Sequence, residues 1–381
     1  MSTKIEDNVD ALVDTTPIKL PDRPRILIVK MWAIGDILMA TPLLRALHRQ
    51  YPGCEITWLV DKRYAAILDG NPMVKDVIAF DNRTWQKRFR YGQIFGYLRM
   101  TTNMRRDLKR RKFDLVINLT AEKWWSIWFQ CAPVSIGLFP RPEPGNMGRL
   151  YTKAIRRSQG ALWLHNSEHY ILPAPALGIP GPFDRQMSVP ERPEDEAFVR
   201  DFLAAQPAYQ SDLPTVVLHP GTSQASKCWP ADHFAGLIDK IGHDANVVIT
   251  GGPGEEALVQ SIVDGTSIET ISTAGAFDLR QTVALVKIAS VVVTGDTSVL
   301  HIASAVETPF IGIYGSTRPG DNAPFFGEHV YLNNDDVECS PCGKANCPLN
   351  GVDFMKCMRT VTVDQVYLEL RKRLVSGLLT N

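Results

Sequence analysis

Short apolar runs alternate along the chain with stretches of helical periodicity, and the alternation occurs in two series. Apolar runs lie at residues 25–30, 55–60, 76–80 and 114–119, and again at 215–219, 246–250, 290–294 and 309–314. Runs that are apolar throughout are typical of strands covered on both faces, as in a parallel sheet. Helical periodicity lies between them at 41–50, 62–68, 231–241, 255–263 and 278–288. The two series predict two doubly wound α/β domains.

Prolines mark the boundary between the two series. Eight of the 26 prolines fall within residues 173–214, around a short predicted helix at 194–205. The chain accordingly divides into parts that we list by their bounds: a mobile N-terminal arm at 1–24, a Rossmann-like domain at 25–185, a linker at 186–213, a second Rossmann-like domain at 214–360 and a C-terminal helix at 361–381. Two such domains are expected to face a central cleft. Ligands of open α/β sheets bind at the carboxyl ends of strands, so the loops after the strands are expected to carry the chemistry.

The charge of the chain is concentrated in one segment. The 381 residues are 45% hydrophobic and 22% charged, which excludes collagen, coiled coil and general disorder. The 41 basic and 41 acidic residues cancel, yet residues 83–112 hold eleven bases and one acid, a net charge of +10. Such a field steers anionic ligands. No run of 18 apolar residues occurs, and the N-terminus has no signal-peptide pattern, so a cytoplasmic location is expected.

The loop after the first apolar run contains Asp36 at or near the start of a helix. Two interpretations are open for this residue. Aspartate is a favoured helix cap, and a carboxylate in a ligand-binding loop can also act as a general base. The loop is not a Gly-x-Gly-x-x-Gly sequence, so a dinucleotide cofactor is not indicated.

Three loops of the second series have the composition of anion and ribose sites. The loop HPGTSQASKCWP offers the hydroxyls of Thr222 and Ser223 and the charge of Lys227 to a phosphate. The loop GDTSVLHIASA places the N–H groups of residues 297–299 at a helix N-terminus, with His301 in its first turn. Glu255 or Glu256, after a glycine-rich turn, could bind ribose hydroxyls. Ordinary polar loops, a packed core histidine and acids that complement a helix end are the alternatives.

Four cysteines lie close together near the C-terminus, at positions Cys339, Cys342, Cys347 and Cys357. Four thiolates at short spacing can bind Zn or Fe tetrahedrally in a structural site. Free thiols and disulfides are the alternatives, and an intracellular location favours thiols over disulfides.

The ordered set of loops resembles glycosyltransferase family 9, the ADP-heptose:lipopolysaccharide heptosyltransferases. The resemblance spans roughly residues 25–376 and rests on ILIVKMWAIGDILMATP, HPGTSQASKCWP, GDTSVLHIASA and TPFIGIYGSTRPGDNAP. It implies a GT-B fold and an inverting transfer that requires no cofactor or metal for catalysis. Ser298 stands where many members have glycine, a residue that tolerates positive φ.

The resemblance also implies a role for each matching position. Asp36 matches the catalytic base of the family. The positions that match its donor site, which binds a nucleotide-diphosphate sugar, are Thr222, Ser223, Lys227, Glu255, Asp296, Thr297, Ser298 and His301. The first domain binds the acceptor in this family, so the basic segment is expected to bind an anionic acceptor. The cations proposed for an anionic glycolipid acceptor are Arg83, Lys87, Arg88, Arg90 and Lys123. Residues 105–112 could then touch an anionic inner membrane leaflet, as a peripheral contact, or form a solvated helix face.

Three other functions remain open from the residues. The first is a GT-B transferase that uses another nucleotide sugar to build O-antigen, capsule or a glycoprotein. The second is a nucleotide-sugar epimerase, which would need no acceptor and no basic segment. The third is a nucleic-acid-binding protein, which would leave the phosphate-type loops unexplained; we do not expect a nucleic-acid partner.

Overall fold

The computed structural model describes residues 13–139, 145–156, 158–159, 162–324 and 326–378. The chain divides into two compact units, Met1–Pro190 and Glu191–Asn381, and this division lies inside the predicted linker. Of the predicted arm, residues 1–12 lie outside the described residues. Residues 13–24 form no helix or strand, and Lys153 Nζ donates to the carbonyl oxygens of Asp14 at 2.7 Å and Thr16 at 2.5 Å.

The first unit is built on a six-stranded parallel sheet. Its strands are β1 (Arg25–Val29), β2 (Glu55–Asp61), β3 (Asp76–Phe80), β4 (Leu115–Asn118), β5 (Val134–Phe139) and β6 (Lys153–Arg156), and a short antiparallel pair follows, β7 (Ser158–Gln159) and β8 (Leu162–Trp163). The sheet order is β3-β2-β1-β4-β5-β6. The helices are α1 (Ile34–Ala40), α2 (Pro42–Gln50), α3 (Asn82–Arg90), α4 (Ile94–Arg110), α5 (Gly145–Gly148), α6 (Asn166–Ile171) and α7 (Pro173–Ala176). This order makes β1 a central strand, and its residues 26–29 are fully buried.

The second unit repeats the same sheet order. Its strands are β9 (Thr215–His219), β10 (Asn246–Ile249), β11 (Ile271–Ser272), β12 (Val291–Gly295), β13 (Phe310–Ile313) and β14 (His329–Leu332), in the order β11-β10-β9-β12-β13-β14. The helices are α8 (Pro193–Ala204), α9 (Ala231–Ile241), α10 (Glu256–Val263), α11 (Leu279–Ile288), α12 (Ser298–Ala305), α13 (Pro319–Asn322), α14 (Lys356–Arg359) and α15 (Val363–Leu378). Both sheets have the Rossmann order, in which β1 and β9 adjoin the point where the order reverses.

The structure confirms all eight predicted strands to within one residue at each end. It adds strands β5, β6, β7, β8, β11 and β14, which the pattern did not predict. The helix predicted at 62–68 is wrong, because only the 3₁₀ turn Ala65–Ile67 forms there. No helix within the described residues is long and apolar enough to cross a membrane.

Candidate functional site

The loop after β1 brings a lysine and an aspartate together. Lys30 follows β1 directly, and Asp36 lies in the first turn of α1. Lys30 Nζ donates to Asp36 Oδ2 at 3.2 Å and to the Tyr170 hydroxyl at 2.8 Å. The Lys30 side chain keeps 5% of its surface exposed and that of Asp36 keeps 29%. A buried cation therefore holds the carboxylate, while part of the carboxylate side chain stays open to solvent.

The two groups around Asp36 have shifted pKa values. Burial acts to lower the pKa of Lys30, but the negative charge of Asp36 and the contact with Tyr170 outweigh it, and the pKa is raised. Burial raises the pKa of the Tyr170 hydroxyl, and the charge of Asp36 raises it further. At neutral pH Lys30 therefore carries a positive charge and Tyr170 remains a neutral hydroxyl.

Asp36 is not the cap of α1, so the capping interpretation is wrong. The N-cap residue is Ala33, and no side chain makes a cap hydrogen bond there. Asp36 is the third residue of the helix, in the first turn, where the positive end of the helix dipole favours a carboxylate. Its carboxylate forms an ion pair with Lys30.

In the second domain, a lysine and an aspartate from two loops form a buried ion pair. Lys227 ends a 3₁₀ turn after β9, and Asp296 directly follows β12. Lys227 Nζ lies 2.7 Å from Asp296 Oδ2, and the two side chains keep 12% and 5% of their surface exposed. Thr317 Oγ1 donates to the same carboxylate oxygen at 2.9 Å, and Asn322 Nδ2 lies 3.5 Å from the other. Burial acts to raise the pKa of Asp296, but the Lys227 charge and the hydrogen bonds from Lys227 and Thr317 outweigh it and lower the pKa.

The Lys227 loop contains an internal hydrogen bond and packs closely against Gly295. The Thr222 hydroxyl donates to the Gln224 carbonyl oxygen at 2.6 Å, whereas Ser223 is exposed. Gly295 allows the two loops to approach, because a Cβ at this position would lie 2.7 Å from the Lys227 carbonyl oxygen. Of the two predicted hydroxyls, that of Thr222 therefore braces the loop.

The helix α12 begins directly after this ion pair. Thr297 is its N-cap, and the Thr297 hydroxyl accepts a hydrogen bond from Val299 N–H at 3.2 Å. One of the three N–H groups predicted to face an anion is therefore used within the helix. Ser298 is the first helical residue and does not have a positive φ, so a side chain is accommodated at this position. His301 is buried one turn further on, and its charge interaction contributes to the lowered pKa of Asp296.

Glu255 joins the loops that follow β9 and β10. Its Oε2 accepts a hydrogen bond from Gly252 N–H at 2.7 Å, and the carboxylate fills the space beside Gly221 where a Cβ would otherwise lie. Burial lowers the pKa of the neighbouring His219, an effect that the charge of Glu255 partly offsets. The carboxylate thus lies at the carboxyl edge of the sheet, where a ribose-binding acid was predicted.

The predicted acceptor-binding cations differ in how far they are exposed. On α3, Arg83, Lys87 and Arg90 are exposed. Arg88 is half-buried, and its guanidinium occupies the space beside Gly96. Lys123 is exposed, with Nζ 3.8 Å from the Glu122 carboxylate.

The basic end of α4 also divides into two groups. The Arg105 guanidinium lies 5.5 Å from the centre of the Trp128 ring, and Arg111 pairs with Asp76 and with Asp107, the latter at 3.1 Å. These two arginines therefore stabilise the domain. The exposed bases of the segment are Arg106, Lys109, Arg110 and Lys112.

The four cysteines are neighbours, but a metal site is not supported. Burial raises the pKa of Cys357, and the charges of Cys339, Cys342 and Cys347 raise it further, so the four thiols are close enough to interact. All four are free thiols. Within the part of the chain that the structure describes, no group of three or more His, Cys, Asp or Glu side chains is arranged to hold a metal ion.

The cysteine-bearing segment supports the Lys227 loop through a serine that the sequence did not single out. Ser226 is buried, its N–H donates to the Ala345 carbonyl oxygen at 3.2 Å, and its hydroxyl donates to Lys344 O at 2.5 Å. Ser316 Oγ lies 3.1 Å from the same hydroxyl, within hydrogen-bond distance. Ser226 thus ties the loop before Lys227 to two other segments.

The structure adds four further groups to the predicted site: Lys30, Tyr170, Thr317 and Asn322. A signal existed for Lys30, because a lysine that ends a buried apolar run needs a partner. Thr317 and Asn322 lie within the quoted motif TPFIGIYGSTRPGDNAP. Tyr170 is 140 residues from Lys30, and no local pattern connects the two.

Each of the two domains is Rossmann-like, with polar loops at the carboxyl ends of its parallel strands, as in enzymes of the GT-B fold class. The profile of the family described as glycosyltransferase family 9 (heptosyltransferase) matches residues 101–353. The chain therefore belongs to glycosyltransferase family 9, and it is a glycosyltransferase.

Individual relatives agree with this assignment. Lipopolysaccharide heptosyltransferase 1 of Pseudomonas aeruginosa is 26% identical over 339 residues, which cover 85% of this chain and 87% of that protein. The fold matches the crystal structure of a family 9 glycosyltransferase from Veillonella parvula with a TM-score of 0.75 and 20% identity, covering 93% of this chain and 97% of the other. It also matches E. coli ADP-heptose LPS heptosyltransferase II, with a TM-score of 0.72, 20% identity and coverage of 93% and 99%.

Proposed function

We propose that the protein transfers a heptose from ADP-heptose to a lipopolysaccharide core-type acceptor, with inversion at the anomeric carbon and without a catalytic metal. Membership of the family and the activities for which its relatives are named support the choice of sugar, nucleotide and acceptor. The observation that carries the mechanism is the carboxylate of Asp36, held by buried Lys30 and partly open to solvent.

In the proposed reaction Asp36 is the general base. A sugar hydroxyl is a weak nucleophile until its proton is removed, and a carboxylate at hydrogen-bond distance can accept that proton as the oxygen attacks. The acceptor oxygen forms a bond to the anomeric carbon while the bond to the diphosphate oxygen breaks on the opposite face. The proton goes to Asp36, and the electron pair leaves with ADP.

The leaving diphosphate is proposed to bind beside Lys227 and the start of α12. Developing negative charge on a leaving group is stabilised most by fixed donors and charges. Lys227 is already paired with Asp296, so the diphosphate must compete with that carboxylate for the ammonium. Thr317 and Asn322 can continue to hold Asp296 when it loses part of this contact. Glu255 is proposed to bind the donor ribose, and His301 and Ser298 to border the diphosphate.

The acceptor is proposed to bind the first domain through exposed cations. Arg83, Lys87, Arg90 and Lys123 are exposed and can meet the carboxylates and phosphates of an inner-core glycolipid. The guanidinium of Arg88 is packed beside Gly96, so this side chain also stabilises the first domain. We also propose that the enzyme works at the cytoplasmic face of the inner membrane, where such an acceptor would be anchored.

A donor panel tests the proposal. ADP-heptose is expected to raise the melting temperature, with about 2.7 kcal/mol of stabilisation at a donor concentration 100 times Kd. UDP-, GDP- and CDP-sugars are expected to produce much smaller shifts. Transfer to a heptose-deficient lipopolysaccharide core should follow, with the product's anomeric configuration read by NMR. Stabilisation by a different nucleotide sugar would instead favour the O-antigen, capsule or glycoprotein alternative.

A further inference from the structure

An exposed apolar patch lies where α3 meets α4 in the first domain. We call it the aromatic corner, and it consists of Phe89, Tyr91, Ile94, Phe95, Leu98 and Trp124. Phe95 is 93% exposed and Tyr91 is 69% exposed, and the other four are exposed by 45 to 51%. Large apolar side chains that are grouped on a surface, rather than scattered, mark a site of interaction.

Phe89 and Trp124 connect the aromatic corner to the aromatic rings of the domain. The ring of Phe89 lies 5.0 Å from that of Trp124 and 5.1 Å from that of Tyr97. Tyr97 stacks in turn on the buried ring of Trp85 at 5.2 Å. These rings border a cavity of about 240 Å³, which Arg90 also lines. Phe89 and Trp124 are therefore supported by packed neighbours.

Positive charge continues along the exposed side of the same helix. Phe95, Arg99, Arg106 and Arg110 are spaced by four, seven and four residues, which places them on one side of α4. All four are exposed. Among the described residues, no acid forms an ion pair with Arg99, Arg106 or Arg110. Their positive charges therefore face solvent.

We propose that the aromatic corner and the exposed arginines of α4 form a docking surface for an anionic phospholipid bilayer. Aromatic side chains enter the boundary between headgroups and acyl chains, and arginines meet the lipid phosphates. The charge of the segment complements an anionic leaflet, and this complementarity selects the bilayer over an uncharged apolar partner. The inference rests on the proposed function, because a glycolipid acceptor would be anchored in that leaflet.

Vesicle sedimentation tests the surface without any acceptor or donor. The full-length protein is mixed with vesicles of phosphatidylcholine alone, or of phosphatidylcholine with 30% phosphatidylglycerol, at low and high salt. We expect binding to the anionic vesicles and a decrease in binding at high salt. The double variant Tyr91→Ser/Phe95→Ser should bind at least about tenfold more weakly. The triple variant Arg99→Gln/Arg106→Gln/Arg110→Gln should lose about fivefold for each arginine.

Matched variants of the second domain serve as controls. Val352→Ser removes an apolar side chain that is also 93% exposed. The triple variant Arg200→Gln/Arg359→Gln/Arg371→Gln removes the same charge from exposed positions. Both should bind anionic vesicles like the wild type. The proposal is overturned if the wild type does not bind anionic vesicles, or if the corner variants and the controls bind equally.

Two further readouts separate this proposal from its alternatives. Transfer to a soluble, delipidated core oligosaccharide should be unchanged in the Tyr91→Ser/Phe95→Ser variant. If the wild type binds anionic vesicles but does not transfer a heptose, the proposed function is wrong and the proposal of a docking surface is unaffected. If the corner variant converts an oligomer to a monomer in ultracentrifugation and leaves vesicle binding unchanged, the surface is an interface between copies and the bilayer proposal is wrong.

Discussion

Lys30 Nζ donates to both Asp36 Oδ2, at 3.2 Å, and the Tyr170 hydroxyl, at 2.8 Å, so one buried ammonium fixes the carboxylate at the end of the first central strand. Lys30 and Asp36 are six residues apart around the loop after β1, whereas Tyr170 comes from α6. A base that must remove a proton in one geometry benefits from such support, because small misplacements are costly to the rate. Lys30 is therefore expected to act as a positioning residue for Asp36.

Replacing Lys30 tests this positioning role. Lys30→Met keeps the apolar stem and removes the charge, and we expect kcat to fall about 10- to 100-fold because the carboxylate loses its fixed orientation. The donor KM should not change. Tyr170→Phe, which removes only the hydroxyl, should have a smaller effect of the same kind. A rise in donor KM with kcat preserved would show that Lys30 acts on binding instead.

The ion pair of the second domain predicts a pattern of stability and binding. Lys227→Met leaves Asp296 buried without its cation, which should cost about 3–5 kcal/mol in the free energy of unfolding. The double variant Lys227→Met/Asp296→Asn removes both charges and should recover most of this stability. It should nevertheless fail to bind ADP, as measured by calorimetry. Wild-type ADP affinity in the double variant would remove Lys227 from the donor site.

Gly295 tests the contact between the two donor loops. In Gly295→Ala the new Cβ would lie 2.7 Å from the Lys227 carbonyl oxygen and 3.4 Å from Thr222 Cγ2. Overpacking of this kind costs about 1–3 kcal/mol, so both the melting temperature and the ADP affinity should fall. Gly320→Ala is the matched control, because a Cβ there meets nothing within 4 Å. Equal behaviour of the two variants would contradict the proposed contact.

The cap of α3 predicts a dependence of stability on pH. The Asp81 side chain accepts hydrogen bonds from Thr84 N–H at 3.0 Å and from Lys62 Nζ at 2.7 Å. These contacts lower the pKa of Asp81 to about 2, and the hydrogen bond from Lys62 is the largest cause. A lowered carboxyl pKa contributes stability that is complete above its unfolded value, near 3.9, and is lost as the pH falls towards about 2.

Asp81→Ala should therefore cost about 0.5–2 kcal/mol at pH 7, because α3 loses its cap. Its stability, followed by urea denaturation, should fall less steeply than that of the wild type between pH 5 and 2. Asp81→Asn can keep the cap bond but loses the charge, so it should retain more stability than the alanine variant at neutral pH. Parallel acid profiles for the wild type and Asp81→Ala would contradict the assignment.

The sequence predicts the strands that are apolar throughout and fails for those that are not. All eight of the predicted strands form. Seven of them are buried at nearly every residue, and a strand covered on both faces leaves an uninterrupted apolar run. The eighth, the edge strand β3, is only partly buried. β11 has only two residues, and every residue of β14 is only partly buried, so neither gives such a run. The run at 62–68 has no cap and forms only a single 3₁₀ turn.

The donor loops could be located from their glycines and hydroxyls, but their connections could not. The sequence predicted Thr222 as a phosphate ligand, yet its hydroxyl donates to the Gln224 carbonyl oxygen within the loop. The pairing of Lys227 with Asp296 joins residues 69 positions apart, and only the order of the sheet brings β9 beside β12. Local sequence therefore predicts which loops carry chemistry, and tertiary pairing decides which atoms are available.

The most direct test of the account is the transfer rate of Asp36→Asn, measured in a single turnover with saturating ADP-heptose. Asparagine keeps the size of the side chain but cannot accept the acceptor's proton at neutral pH. We predict a rate lower by about 10²- to 10⁴-fold, with ADP affinity close to that of the wild type. The melting temperature should fall, because Lys30 stays buried without its counter-charge. A rate within about threefold of the wild type, with donor binding intact, would contradict the assignment of Asp36 as the base.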